Sequence, residues 1–173
     1  MRKTKISPRL LSLFIPTLVI TLSAALAYAF FFSTRSSPLQ PIDFSHKTHA
    51  QESEIACLYC HIYAKKSSVA GVPSVQKCIG CHEMIALDHP EVQKLLDYWD
   101  NRQPIPWKKV YNLPDFVYFS HRMHLNADLA CEQCHGDVSE MEQVKQVSSL
   151  EMGWCLKCHR KMDASIDCWV CHK

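Results

Sequence analysis

Every cysteine in this chain belongs to one five-residue pattern, C-x-x-C-H, which occurs five times. No cysteine is left over, and each pair is followed directly by a histidine. The motifs, numbered 1 to 5 in chain order, occupy residues 57–61, 78–82, 131–135, 155–159 and 168–172. A chain with 10 Cys and 10 His but only 4 Gly is rich in groups that bind metals or cofactors.

The spacing within each motif has a chemical reason. Two intervening residues let each sulfur form a thioether with one vinyl group of a haem, and the adjoining histidine then lies under the iron. The sequence therefore predicts five covalently bound haem c groups. The thioether residues would be Cys57, Cys60, Cys78, Cys81, Cys131, Cys134, Cys155, Cys158, Cys168 and Cys171. The first axial ligands would be His61, His82, His135, His159 and His172.

Other uses of paired cysteines fit the pattern less well. A zinc site draws four ligands from two such pairs, so five pairs would leave one unmatched. Zinc also gives no reason for a histidine at the same place after every pair. A thioredoxin-like motif would occur once, beside a βαβ pattern, which this sequence lacks.

Four of the five remaining histidines occur in two copies of one phrase, Phe-x-His-x-x-His. The phrase precedes motif 1 at residues 44–49 and motif 3 at residues 119–124, which indicates an internal duplication. Histidines at i and i+3 project from one side of a helical turn, so each would serve a different haem. The predicted second ligands for motifs 1, 2, 3 and 4 are, respectively, His46, His49, His121 and His124.

The haem of motif 5 lacks an obvious second histidine. Met152 lies three residues before Cys155, whereas the matching position in the first repeat is Val75, which cannot bind iron. His89 is the rival ligand and would complete an all-histidine set. His89 precedes Pro90, however, where a helix is predicted to start, and it could instead be a solvated residue at that helix end.

The N-terminal region predicts export and anchoring. Residues 10–32 contain no charge, and as a helix they would be about 35 Å long, enough for a hydrocarbon core of about 30 Å. Basic residues precede this segment, and no acidic residue occurs before Asp43, which predicts a cytoplasmic N-terminus. The alternative is a cleaved signal peptide, because residues 27–29 imitate a small-residue cleavage site. The formal net charge of +2 gives no indication of nucleic-acid binding.

The predicted fold is a multihaem cytochrome c of mostly short helices and irregular loops wrapped around haems, with one N-terminal transmembrane helix. Within the linker, Val92, Leu95, Leu96 and Trp99 recur with helical spacing, and Asp88 is a plausible cap. The predicted divisions are a cytoplasmic N-terminus (1–9), a transmembrane anchor (10–32), a stalk (33–43), a dihaem module (44–87), a linker helix with a proline-rich strap (88–115) and a trihaem module (116–173).

The two Phe-x-His-x-x-His phrases beside closely spaced C-x-x-C-H motifs resemble class III multihaem cytochromes. Residues 116–173 look like the small trihaem members of that class. In those proteins the two histidines serve the first two haems, and a residue just before the middle cysteine pair serves the third. The resemblance implies that Met152 serves the last haem here, although the class usually has histidine at that place.

Two linking segments, residues 104–121 and 149–155, carry a closer likeness. With the N-terminal anchor and five haems, they resemble the pentahaem subunits of alternative complex III over nearly the whole chain. The resemblance implies a bacterial quinol:electron-acceptor oxidoreductase at the inner membrane, with the haem domain on the periplasmic side. Its partners would be an iron–sulfur/molybdopterin-type subunit, integral membrane quinol-binding subunits and a downstream monohaem cytochrome or oxidase. Related quinone-reducing complexes carry similar subunits, so the direction of electron flow stays open.

The expected function is therefore electron transfer, with no enzyme activity of the chain on its own. Two other functions compete with it. A nitrite or sulfite reductase would need an open axial position on one iron, whereas this chain has enough His and Met to close every site. A quinol dehydrogenase anchored by a single helix, similar to the anchored tetrahaem cytochromes, would feed a periplasmic reductase. Those tetrahaem cytochromes, however, use different local haem motifs.

Overall fold

The computed structural model describes residues 8–33 and 37–172, with the side chains of the first range described from 15 to 28. The chain divides into two compact parts, Met1–Ser36 and Ser37–Lys173. Most of the predicted cytoplasmic segment 1–9, and residues 34–36 of the predicted stalk, lie outside the described residues.

The first part contains one helix, α1, at Pro8–Ser33. Two of its hydroxyl side chains donate hydrogen bonds to backbone carbonyls of the same helix. Thr21 donates to the carbonyl of Thr17 at 3.0 Å, and Ser23 donates to that of Ile20 at 2.9 Å. A helix thus forms over residues 10–32, but the prediction of a membrane anchor there is not confirmed. Among the described residues, no helix is both long and apolar enough to cross a bilayer.

Short helices joined by loops make up the second part, and its described residues contain no strand, as predicted. A π-helical turn lies at Lys47–Glu52 and a 3₁₀ turn at Val138–Glu140. The α-helices are α2 (Cys57–Cys60), α3 (Val75–His82), α4 (Pro90–Asp100), α5 (His121–Asn126), α6 (Glu132–His135), α7 (Met152–Lys161) and α8 (Cys168–Cys171).

A small hydrophobic core forms where α3 packs against α4. Ile42, Ile79, Leu95 and Ile105 are buried in it, and Trp107 is packed against it. The proline-rich strap that follows α4 thereby covers one side of this core. It is also held by the side chain of Gln40, which donates to the carbonyl of Lys108 and accepts from its amide at 3.0 and 2.9 Å.

Helix α4 buries Val92 and Leu95 of the predicted apolar face, but Trp99 is 42% exposed and the predicted cap is wrong. His89, not Asp88, is the N-cap residue, and its Nδ1 accepts a hydrogen bond from the amide of Glu91 at 3.2 Å. Pro90 at the first helical position has no N–H, so the first helix amide that needs an acceptor is that of Glu91. His89 provides this acceptor. Glu91 also accepts from the amide of Asp43 at 2.8 Å and from Lys94 at 2.7 Å.

The two predicted haem modules pack against each other within the second part. The amide of Lys47 donates to the carbonyl of Met141 at 3.1 Å, and Gln143 donates to the carboxylate of Asp43 at 3.0 Å. On another side, the amides of His121 and Arg122 donate to carbonyls of the loop that follows motif 1. Residues of the first repeat therefore help to position those of the second.

The core between α3 and α4 predicts a large effect at Leu95, which is only 5% exposed. Leu95→Ala removes buried methyl groups and leaves a cavity, so we expect the natively matured protein to lose about 2–5 kcal/mol of stability. Lys94→Ala on the same helix disrupts only a largely exposed ion pair and should cost less than about 1 kcal/mol. Denaturant midpoints measure both; equal losses for the two variants would contradict this description of the core.

The capping bond predicts a different signature at His89. His89→Ala should lower stability on the order of 1 kcal/mol, because the amide of Glu91 loses its acceptor. His89→Asn should restore most of this loss, since Asn is a strong N-cap residue. Neither change should alter the low-spin iron spectrum of the matured protein. A new high-spin signal in His89→Ala would instead identify His89 as an iron ligand.

Candidate haem-binding sites

Each C-x-x-C-H motif lies on a single helical turn. Motifs 1 and 5 begin α2 and α8, motifs 2 and 4 fall within α3 and α7, and motif 3 begins at the N-cap residue of α6. Cysteines at i and i+3 of a helical turn project from the same side. None of the ten cysteines forms a disulfide, so both sulfurs of every pair remain for one cofactor.

Three motif histidines face a histidine from one of the two repeated phrases. The ring centroids are 6.0 Å apart for His49 and His82, 6.3 Å for His121 and His135, and 6.0 Å for His124 and His159. The planes of His121 and His135 are nearly parallel, at 6°. These are the same partners that the sequence predicts for motifs 2, 3 and 4.

The separations fit an iron held between two rings. A metal ion about 2 Å from one nitrogen of each imidazole sets the two ring centroids about 6 Å apart. Rings in direct stacking contact would lie closer, as Phe44 and His49 do at 4.3 Å. Within the described ranges, no three His, Cys, Asp or Glu side chains are grouped so that they could hold a metal ion by themselves.

His46 and His61, the predicted pair for motif 1, also lie close together. Burial, with smaller contributions from the neighbouring His61 and His49, lowers the pKa of His46 to about 4. Burial likewise lowers the pKa of His135, with smaller contributions from His121 and His61. Both rings are therefore neutral at pH 7, which is the form of imidazole that binds a metal.

The tautomer of seven predicted ligands follows from one type of hydrogen bond. Their Nδ1 atoms lie 2.6 to 3.2 Å from a backbone carbonyl. Because a carbonyl oxygen can only accept, Nδ1 must carry the proton, and Nε2 keeps the lone pair that a metal requires. The seven are His49, His61, His82, His121, His124, His159 and His172.

His46 differs from these seven because its buried Nδ1 has no hydrogen-bond partner among the described residues. The equivalent histidine of the second repeat, His121, donates to the carbonyl of Ser68 at 2.9 Å. Ser68 lies in the loop after motif 1, so the first repeat supplies the acceptor that completes the second. A buried polar atom without a partner lowers the stability of the folded state by about 1–3 kcal/mol. His46 bears this cost in the first repeat, whereas His121 in the second repeat does not.

Two phenylalanines hold the histidine phrases in one geometry. Phe44 meets His46 edge-on at 4.8 Å and stacks on His49 at 4.3 Å. Phe119 does the same with His121 at 4.8 Å and with His124 at 4.4 Å. The interplanar angles of the two repeats agree within a few degrees, so each phenylalanine acts as a spacer that aims two rings in different directions.

The fifth motif has a different environment. The Nδ1 of His172 donates to the carbonyl of Phe116 at 3.2 Å, and the two rings stack at 5.8 Å. The nine predicted histidine ligands are partly buried, whereas His89 is exposed and its Nδ1 lone pair accepts the helix-capping bond. Met152 is 65% exposed at the first position of α7. His89 thus uses Nδ1 as an acceptor in the helix cap, whereas seven of the predicted histidine ligands donate from Nδ1 to a carbonyl.

The sequence alone did not single out several residues that orient the rings. Tyr111 packs edge-on against His135 at 4.5 Å, and its hydroxyl donates to the carbonyls of Lys145 and His135. Gly71, at φ +74°, supplies the carbonyl that accepts from His61, and a Cβ there would lie 3.3 Å from Tyr63. Of the residues that orient the rings, only Phe44 and Phe119 could have been found from the sequence, because they occupy the same place in both repeats.

Comparisons with known proteins agree with these features. The family model described as "Cytochrome c7 and related cytochrome c" matches residues 117–173, which coincide with the predicted trihaem module. A protein of Nitratidesulfovibrio vulgaris named "Menaquinone reductase, multiheme cytochrome c subunit" is 29% identical over 161 residues. That match covers 78% of this chain and 77% of the relative. The motifs and both similarities together support a multihaem cytochrome c.

Proposed function

We propose that this chain is an electron-relay subunit with five covalent haem c groups, working beside a quinone-reactive membrane complex. The observation that carries the proposal is the set of imidazole rings facing each other about 6 Å apart, each beside a helical cysteine pair. The Nδ1 bonds to carbonyls leave Nε2 ready to bind iron in each of these rings except that of His135, for which no such bond is described.

In this proposal the chain holds each cofactor at three or four points. Two cysteine sulfurs would form thioethers, and the motif histidine and a second residue would bind the iron. Bound haem supplies reversible one-electron chemistry at iron. A protein ligand on both faces leaves no position for a substrate, so the arrangement favours electron transfer over a nitrite- or sulfite-reductase activity.

For motif 5 we propose Met152 as the second ligand. Helix α7 carries both Met152 and Cys155, and the thiols of Cys155 and Cys171 lie close enough to interact electrostatically. Residues at i and i+3 of a helix share one side, so Met152 is expected on the side of α7 that carries Cys155. Methionine opposite histidine raises the reduction potential, which would make this haem the most oxidising of the five.

The proposed partners are an iron–sulfur/molybdopterin-type subunit and integral membrane subunits that bind the quinone. The similarity to a menaquinone reductase subunit favours a complex in which electrons flow toward menaquinone. The alternative is an alternative-complex-III-like assembly that oxidises quinol and passes electrons to a monohaem cytochrome or oxidase. A quinol dehydrogenase anchored by a single helix is a third candidate. In all three, we propose that the haem domain lies on the periplasmic side of the bacterial inner membrane.

Purification from the native membranes tests this function in two steps. The mass of the matured chain should equal the polypeptide plus five haems; fewer haems would refute the cofactor assignment. Haems reduced by a low-potential cytochrome should be reoxidised when a menaquinone analogue is added to the intact complex. Reduction of the haems by menaquinol, followed by reoxidation by a high-potential acceptor, would favour the quinol-oxidising alternative. No redox exchange with either quinone form would refute a quinone-linked role.

The assignment of Met152 predicts two separate spectroscopic changes. Met152→Ala should give one high-spin ferric signal in electron paramagnetic resonance, because one iron loses its second ligand. Met152→His should keep all haems low-spin but lower the highest of the five potentials. Met162→Ala is the matched control, since Met162 is an exposed methionine at the other end of the same helix. Unchanged spectra and potentials in both Met152 variants would show that Met152 is not a ligand.

A further inference from the structure

The five motifs do not follow each other in space as they do in the sequence. We infer that they form one unbranched line in the order 2–1–3–4–5, with motif 1 between motifs 2 and 3, and with motifs 2 and 5 at its ends. This inference rests on the proposed function in so far as the motifs carry haems. It specifies the path of the relay, which the number of haems alone leaves open.

Motifs 2 and 1 are joined through one histidine phrase and one cation–π contact. Phe44 touches both His46, which lies near His61 of motif 1, and His49, which faces His82 of motif 2. In addition, Nζ of Lys77, next to the first cysteine of motif 2, lies 3.6 Å from the ring centre of Tyr59 inside motif 1. Helix α3, which carries motif 2, packs against α4 and the small core. The side of motif 2 that faces them is therefore covered by α4 and the core, and not by another motif.

Motifs 1 and 3 are joined through the loop that follows motif 1. Within this loop the carbonyl of Gly71 accepts from the motif 1 ligand His61 at 2.7 Å, and that of Ser68 accepts from Nδ1 of His121 at 2.9 Å. The same Ser68 carbonyl accepts from the amide of His121 at 3.0 Å. The thiols of Cys57 and Cys131 also lie close enough to interact electrostatically. One loop thus orients a ligand on each side of this junction.

Motifs 3 and 4 repeat the arrangement of motifs 1 and 2. Phe119 touches both His121 and His124, whose rings face those of His135 and His159. Just before α7, the hydroxyl of Ser148 donates to the carbonyl of Cys134 at 2.7 Å and ties the approach to motif 4 to motif 3. The thiol of Cys134 also lies close enough to those of Cys158 and Cys155 to interact with them electrostatically.

Motifs 4 and 5 are joined by the short connection between α7 and α8. The carbonyl of Ser165 accepts from Nδ1 of His159 at 2.6 Å, and the hydroxyl of Ser165 donates to Asp167, the N-cap residue of α8. The amide of Tyr118 donates to the carbonyl of Cys171 at 2.7 Å, which ties α8 to the segment leading into the second histidine phrase. The thiol of Cys155 in motif 4 also lies close enough to that of Cys171 in motif 5 to interact with it electrostatically, so motif 5 lies beside motif 4 at this end of the line.

The line has a functional consequence for the relay. An electron crossing the whole domain would pass every motif, and partners would exchange electrons at motif 2 or motif 5. Motif 1, although first in the chain, lies inside the path, so loss of its haem would separate motif 2 from the other three. A line in sequence order would instead make motif 1 an end and bring motifs 2 and 3 into contact.

Proton NMR of the reduced, natively matured full chain in detergent tests the order. Single variants identify each haem: His46→Met, His49→Met, His121→Met and His124→Met should each shift mainly the resonances of one haem, and the remaining set belongs to motif 5. His89→Met is the matched control and should shift none. Nuclear Overhauser contacts between haem protons are expected for the pairs 2–1, 1–3, 3–4 and 4–5.

Two results would overturn this order. A contact between the haems of motifs 2 and 3, or no contact between those of motifs 1 and 3, contradicts the line. A contact between motifs 3 and 5 would mean that the path branches, which also contradicts it. The total haem content, measured by mass on the same sample, separates the two proposals. Five haems with a different contact pattern refute the order alone, whereas fewer than five refute the cofactor assignment on which it rests.

Discussion

The hydrogen bond between a histidine Nδ1 and a backbone carbonyl is the interaction on which most of this structure depends. It fixes the ring orientation and leaves the lone pair of Nε2 pointing away from the peptide chain. The required carbonyls come from loops and helix ends, such as Gly71 for His61 and Ser165 for His159. Much of the irregular backbone in the second part of the chain is therefore constrained by ring orientation and not by sheet or long-helix pairing.

The chain also has little protein core with which to hold these loops. The buried hydrophobic residues among the described positions are few, and most of them lie where α3 meets α4. Small domains bury a low fraction of their surface and commonly need cofactors, metals or disulfides for stability. None of the ten cysteines is paired in a disulfide, so thioether-bound cofactors are the proposed source of that stability.

The two repeats share a local geometry but have different surroundings. Phe44 and Phe119 hold their histidine pairs at almost the same distances and angles, which reflects the shared phrase. The first histidine of each pair differs in its hydrogen bonding. The Nδ1 of His121 donates to a carbonyl of the first repeat, whereas the Nδ1 of His46 is buried without a hydrogen-bond partner among the described residues. The two repeats therefore share the contacts between phenylalanine and histidine. They differ in the hydrogen bond of the first histidine, because that bond depends on how the two modules pack against each other.

The sequence by itself determined the local chemistry of this protein. The C-x-x-C-H spacing set five helical turns with sulfurs on one side, and the repeated phrase gave the histidine partners that the structure brings together. The apolar spacing of Val92 and Leu95 also predicted the face that α4 buries. Local patterns sufficed because these features depend on residues within one or two helical turns.

Only the tertiary structure shows which distant carbonyls orient the histidine rings and that His89 caps α4. The acceptor for His121 lies 53 residues away and that for His172 lies 56 residues away, so no local pattern predicts either bond. The sequence left His89 as the rival of Met152 for the last haem or as a residue at a helix end, and the structure shows its Nδ1 accepting from the amide of Glu91. Long-range contacts are set by how loops close around the motifs, and that packing depends on the whole chain at once.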